Sequence, residues 1–272
     1  MTRRRYWPAF LLEAEKTAPE VPERARYMPT DNTHRGDETV TLDVIEEGEP
    51  VSPLVEKYDR LQSKRRLGVK EHLKLSLPLG EGGQGVVYLG ERLGTDNFQL
   101  PIALKFFSPD PFRNIKEYNE VMSYSALVAA AVAQIQHDNL LDVRSWFQID
   151  GIRVMEMEFV DGVNLYHLMQ NSMLDWMKRN LSAEEYADRT RVVVTRGVRH
   201  PRLKTGIALT VIRECLNALT ALHDCGIVHG DIKPANIMLK KTGAAKIIDL
   251  GAAFFYKGTP PSCSSCVCRR LT

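Results

Sequence analysis

Two carboxylates, an amide and an ammonium crowd one short stretch of this chain. Asp231, Lys233 and Asn236 stand in His229-Gly230-Asp231-Ile232-Lys233-Pro234-Ala235-Asn236-Ile237-Met238-Leu239, and Asp249 follows in Ile247-Ile248-Asp249-Leu250-Gly251. Asn236 and Asp249 are hard oxygen donors of the kind Mg²⁺ prefers. Lys233 is a cation suited to stabilising a moving phosphate. Asp231 remains to orient an incoming hydroxyl and handle its proton. Together these groups make an inventory for phosphoryl transfer, a reaction that asks little covalent work of a protein and much positioning and charge neutralisation.

The elements that position such groups can be read upstream. Leu73-Lys74-Leu75-Ser76-Leu77 alternates like a strand, breaks at Gly80-Glu81-Gly82-Gly83-Gln84-Gly85 and resumes in Val86-Val87-Tyr88-Leu89. A dinucleotide-binding turn requires a helix after its glycines, and a Walker A loop requires Lys-Ser/Thr; neither follows here. The pattern predicts a glycine hairpin, either an ordinary turn or a cover for phosphates. Leu100-Pro101-Ile102-Ala103-Leu104-Lys105-Phe106-Phe107 is an apolar strand with one lysine in its middle, and a buried ammonium needs a partner. Ser108-Pro109-Asp110-Pro111 ends that strand, and a helix is predicted from about Phe112 to Gln134, carrying Glu117 and Glu120 as candidate partners for Lys105. Strands over 141–149 and 152–159 flank an Asp150-Gly151 hairpin turn. Leu165 to Leu181 reads as helical, Ser182 to Pro201 as an exposed charged insertion, and Ile207 to Cys225 as a core helix with a broad apolar stripe.

With 272 residues and 44% apolar content there is ample material for a core. The net charge of +2 names neither a nucleic-acid nor a membrane-surface partner. No uncharged apolar run in the sequence reaches the roughly 18 residues of a membrane span, and a cytoplasmic protein is expected. The five cysteines, three of them at Cys263, Cys266 and Cys268, do not form a disulfide framework. Residues 1–68 are rich in charge and proline and are expected to be largely non-globular, with a short strand at 39–46 and helical spacing through Leu54, Tyr58, Leu61 and Arg65, either of which can dock on the domain downstream.

The loop pattern H-x-D-x-K-P-x-N with Asp-Leu-Gly downstream resembles the protein kinase superfamily, and more closely its bacterial-type serine/threonine branch. The resemblance runs from about Leu73 to Gly251, with the glycine hairpin, the lysine strand and the acids in the family's order. It implies an α+β, two-lobed kinase-like fold over 69–260: a β-rich small lobe with one long helix (69–158) and a helical large lobe (159–260) that is incomplete at its C-terminal end. It implies ATP and Mg²⁺ as cofactors, Asp231 and Lys233 as catalytic residues, and Asn236 and Asp249 as metal ligands. For the nucleotide it implies Gly80, Glu81, Gly82, Gly83, Gln84, Gly85, Val87, Ala103, Lys105 and Glu120, with Met157, Glu158 and Val160 at the hinge. Glu120, fifteen residues past Lys105, is preferred over Glu117 as the lysine's partner. The substrate implied is a Ser/Thr hydroxyl of a protein.

Three departures qualify the resemblance. Gly230 replaces the family's usual arginine, which argues against control by a phosphorylated activation loop. The resulting His-Gly-Asp is similar to small-molecule kinases of the aminoglycoside and choline type, which supply the alternative activity. After Gly251 no Ala-Pro-Glu follows, and residues 261–272, biased to Cys, Ser and Arg, are read as a truncated or frame-shifted end. A non-catalytic nucleotide-binding remnant is therefore a third reading, with a partner or second copy covering the large lobe.

Overall fold

The computed structural model describes residues 49–63, 66–67, 72–192, 194–195 and 201–256. The expected strand at 39–46 and the Cys-rich tail lie outside these residues.

The small lobe is a six-stranded antiparallel sheet in the order β1-β2-β3-β4-β6-β5. Its strands are β1 (Arg66–Leu67), β2 (Leu73–Gly82), β3 (Gly85–Leu93), β4 (Gln99–Phe107), β5 (Val143–Ile149) and β6 (Ile152–Glu158). The alternation read at the start of β2 is realised, since Leu73 and Leu75 are buried while Ser76 is exposed. Pro78, which cannot donate to a ladder, sits where the β2–β3 register shifts. β4 is buried along most of its length, so Lys105 lies 5% exposed in an apolar environment.

Two helices close the lobe. The N-terminal one, α1 (Ser52–Gln62), buries Leu54, Tyr58 and Leu61, as their helical spacing requires. Its Leu54 packs over the β5–β6 turn, where Gly151 adopts φ +91, and just before it the Glu49 carbonyl accepts the Ile115 N–H at 3.0 Å. The second, α2 (Ile115–Val132), starts at Asn114, whose side chain accepts the Glu117 N–H. Its Tyr118 is fully buried, with its hydroxyl accepting from Arg153 N–H at 2.9 Å and donating to the Phe107 carbonyl at 3.3 Å.

In the large lobe the apolar helix expected over 165–181 is two pieces, α3 (Leu165–Leu168) and α4 (Asn171–Asn180). Gln170 takes an extended conformation between them, and the re-aimed second piece buries Met173 and Met177. The charged insertion carries a helix, α5 (Ala183–Val192). Ser182 and Glu185 exchange hydrogen bonds at its start, since Ser182 Oγ accepts the Glu185 N–H and the Glu185 carboxylate accepts the Ser182 N–H. Two short strands follow, β8 (Val194–Thr195) and β9 (Arg202–Leu203). The core helix α6 (Thr205–Asp224) buries Val211, Cys215, Ala218 and Leu222. A small sheet of β7 (Gly162–Asn164), β11 (Ile237–Lys240) and β12 (Ala245–Ile247) lies beside it, and β10 (Ile227–Val228) pairs with β13 (Phe254–Phe255). Among the described residues α6 is long and apolar enough to cross a membrane by length and composition. It carries Arg213 and Glu214, and Glu214 accepts the Ala245 N–H at 2.7 Å, which ties the helix to β12 as a lobe element.

Candidate active site

The stretch from His229 to Asp249 is held between strands at both ends. β10 delivers the chain to His229, and β11 leaves from a single 3₁₀ turn at Pro234–Asn236. β12 then returns antiparallel to β11, with Ile237 opposite Ile247, which brings Asp249 back beside the loop. β13 closes the unit by pairing Val228 with Phe254. Four polar side chains separated by up to eighteen residues are thereby placed together.

Within the loop, the buried Asn236 donates from Nδ2 to both the Asp231 carbonyl and the Asp231 carboxylate at 2.9 Å. Because that amide nitrogen is committed to Asp231, Oδ1 is the end left to bind a cation. Lys233 Nζ lies 2.7 Å from the same Asp231 carboxylate. The Asp231 side chain keeps 38% of its surface in contact with solvent, so a hydroxyl can reach it.

Asp249 receives Lys105 from the small lobe at 2.5 Å and the Gly251 N–H at 3.1 Å. Burial works against its ionisation, but the Lys105 ammonium and these hydrogen bonds prevail and hold the carboxyl below its ordinary range. Asp249 has φ +61, a strained setting for a non-glycine residue that turns its carboxylate toward the cleft.

His229 is buried behind the loop. Its Nε2 faces the Ile248 carbonyl at 3.1 Å and its Nδ1 lies 3.4 Å from the Asp231 N–H. A ring that donates from Nε2 and accepts at Nδ1 is neutral, and burial accordingly pushes its pKa down. Gly230 has φ +78, and a Cβ there would lie 2.3 Å from the Ala252 carbonyl oxygen. The backbone thus leaves no room for the arginine the family usually carries.

The glycine hairpin covers this group from the small lobe. At Gly85, φ is +130 and a Cβ would meet the Phe106 carbonyl at 1.9 Å, so glycine is required by the fold. At Gly80, Gly82 and Gly83 no protein atom lies within 4 Å of a Cβ position. Their bareness answers no packing need among the described residues. Val87 stands opposite Lys105 and Ala103 opposite Met157 in the sheet register. Ala103, Met157 and Val160 are buried, whereas the Glu158 carboxylate is occupied by Lys246 and the Asp142 N–H.

One expected contact is not formed. Glu120 is exposed on α2 and Lys105 pairs with Asp249 instead, with Gln84 Oε1 as its second acceptor at 2.9 Å. Glu117 is taken up by Arg113. At about 100° per residue Glu120 lies roughly 160° around the helix from the buried Tyr118. The helix instead meets the large lobe one turn later, where the Tyr124 hydroxyl accepts the Phe255 N–H at 3.0 Å, and the next turn on that side carries the buried Val128. Spacing along the sequence pointed to a turn of the helix that does not face Lys105 in this structure. The Gln84 contact with Lys105 and the Tyr124 contact with Phe255 were not foreseen from sequence, and only the hairpin position of Gln84 offered a signal.

Among the described residues no cluster of three or more His, Cys, Asp or Glu side chains forms a metal cage. Asn236 and Asp249 offer two oxygens, a donor set that fits Mg²⁺ shared with phosphate oxygens.

Comparison with known proteins agrees with this geometry. The protein kinase domain family matches residues 73–270. Relatives include serine/threonine-protein kinase DBF20 of Saccharomyces cerevisiae, 28% identical over 70% of this chain, and the probable serine/threonine-protein kinase PknB of Lactococcus lactis, 26% identical over 64%. Aurora kinase C of Mus musculus is 28% identical over 65%. The matched stretches make up 28%, 22% and 52% of those relatives' own lengths, so the chain spans about a fifth to a half of each. A solved structure described as the apo form of PpkA-294 aligns with a TM-score of 0.48 at 17% identity, covering 70% of this chain and 63% of that one. With nearly three quarters of its length matched in one continuous stretch that contains every group of the site, this chain belongs to the protein kinase domain family.

Proposed function

We propose that the chain binds Mg-ATP in the cleft between its lobes and transfers the γ-phosphoryl group to a Ser or Thr hydroxyl of a protein. The observation that carries this reading is the Lys105–Asp249 contact, which brings a small-lobe cation to a large-lobe acid beside the Asp231, Lys233 and Asn236 cluster. Lys105 and the bare backbone of Gly80, Gly82 and Gly83 hold phosphates, with Glu81, Gln84 and Gly85 completing the hairpin, while Val87, Ala103, Met157, Val160 and the backbone at Glu158 enclose the base. Asn236 Oδ1 and Asp249 are the ligands for Mg²⁺, which when bound neutralises phosphate charge. Asp231, held by Asn236 and Lys233, orients the acceptor hydroxyl and takes its proton, and Lys233 stabilises the transferred group. In this reading the domain occupies 69–260, with residues 49–63 packed on its small lobe, and works in the cytoplasm. A partner or second copy covers the exposed side of α6.

A second reading, nucleotide binding without transfer, is favoured by one observation: no carboxylate of α2 reaches Lys105. Transfer of labelled phosphate from Mg-ATP to a generic protein acceptor separates the two, with an aminoglycoside acceptor run in parallel. Asp231→Asn is expected to lower kcat at least a hundredfold while changing the ATP dissociation constant less than about threefold. Transfer that survives in Asp231→Asn refutes the role of Asp231. Tight ATP binding without transfer by the unsubstituted chain selects the second reading.

A further inference from the structure

Gln84, at the tip of the glycine hairpin, is tied down by both its backbone and its side chain. The Gln84 carbonyl accepts the Ser108 N–H at 3.1 Å, which folds the tip back toward the end of β4. Its Oε1 accepts from Lys105 Nζ at 2.9 Å. The same oxygen lies 1.8 Å from where a Cβ on Gly251 would stand, so the carboxamide sits directly on the turn that follows Asp249. One neutral side chain thus reaches from the small lobe to the lysine and to the large-lobe turn beside the acid.

An ammonium can only donate, and a carboxamide has one accepting and one donating end. Contact with Lys105 therefore fixes the amide with its oxygen on the lysine and its two N–H donors turned to other partners. Among the described residues that nitrogen has no acceptor. An anion arriving at Lys105 meets a cation and an uncommitted pair of donors together. Asp249 already opposes Lys105, so a neutral donor at Gln84 adds to phosphate binding without a second negative charge in the cleft.

Deepening the ATP-binding reading, and resting on it, we propose that the Gln84 side chain is itself a phosphate ligand, with its carboxamide bridging Lys105 to the nucleotide's phosphate chain. The hairpin then contributes a side-chain contact in addition to its backbone. Glutamate at this position keeps the shape and the lysine contact but replaces the donors with an acceptor, so the donor role can be tested apart from the positioning of Lys105.

The experiment measures dissociation constants of ATP and AMP in Mg²⁺ for the unsubstituted chain, Gln84→Ala and Gln84→Glu, with thermal melts as a control for folding. Gln84→Ala is expected to weaken ATP about tenfold and AMP less than twofold, as loss of a hydrogen bond to a charged group predicts. Gln84→Glu is expected to weaken ATP further than Gln84→Ala does, and where transfer is measurable KM for ATP rises with little change in kcat. ATP binding that is equal or tighter in Gln84→Ala, equal weakening of ATP and AMP, or Gln84→Glu that binds like the unsubstituted chain each overturns the assignment. No binding of either nucleotide by the unsubstituted chain overturns instead the reading on which it rests.

Discussion

Burial disfavours a charged His229 more strongly than the Ile248 carbonyl, Asp249 and Asp231 favour it, and the Asp231 N–H points at a ring nitrogen that must keep its lone pair. Its folded pKa is depressed below the ordinary 6.5, so the stability it contributes is complete above that value and is lost as pH falls through the folded pKa. We expect the melting temperature to drop on acidification below about pH 6.5, and to drop less in His229→Gln, whose side chain does not titrate. Equal acid sensitivity in the two proteins, followed by calorimetry from pH 7.5 to 5, would show that other groups govern the loss. At this scale the proximity of Asp231, Lys233, Asn236 and Asp249 was legible because a loop and a two-stranded return keep near neighbours in sequence near in space. The partner of Lys105 was not. Glu120 has the appropriate distance along the chain, but the direction of a helical side chain depends on which turn meets the other lobe, and that is set by Tyr124 meeting the backbone of Phe255.

Helix α1 shows how an element outside the matched family region becomes part of the small lobe. Leu61 is 1% exposed and Leu54 and Tyr58 are nearly as buried, so the lobe's core continues into a segment of otherwise polar sequence. Leu61→Ala should cost about 2–5 kcal/mol, the usual range for a buried leucine. Urea unfolding is the measurement, and a loss under about 0.5 kcal/mol, typical of a surface site, would mean that α1 does not pack on the lobe in solution. Tyr58 adds an alkaline signature. Burial, with Glu81 and Tyr88 nearby, pushes its phenol up to about 12 from 10.0, so its contribution is intact below pH 10 and is lost as pH rises toward 12. The helical spacing of Leu54, Tyr58 and Leu61 was readable from sequence. The break between α3 and α4 was not, because a single apolar stripe does not disclose that Gln170 turns extended. The Ser182–Glu185 exchange at α5 is a local signature that could have been read, and it lay inside a stretch whose charge suggested only an exposed insertion.

Over the whole molecule, α6 divides its apolar residues between two faces. Val211, Cys215, Ala218 and Leu222 enter the core, while Leu209, Ile212 and Leu216 stand 64%, 55% and 58% exposed. Among the described residues nothing covers that row. The composition of α6 announced a core helix, but which of its two apolar faces finds a cover depends on neighbouring elements that the helix's own sequence does not encode. An exposed row of this size favours association. The triple variant Leu209→Glu, Ile212→Lys, Leu216→Glu should therefore lower light scattering and leave the melting temperature within about 2 °C, since surface changes away from special features are nearly neutral. Unchanged scattering, or loss of a cooperative melt, would show that the row is not a free surface in solution. The ladders around the Asp231 loop have a different consequence. The turn at 241–243 lies on the far end of the β11–β12 hairpin from the site, while β10–β13, β7–β11 and the Asn139 contact with Ala245 hold both sides of it independently. Peptide continuity at that turn is therefore expected to be dispensable to the geometry of the acids: a chain nicked there should keep Asp231 and Asp249 in one body, its two pieces acting as complementing fragments.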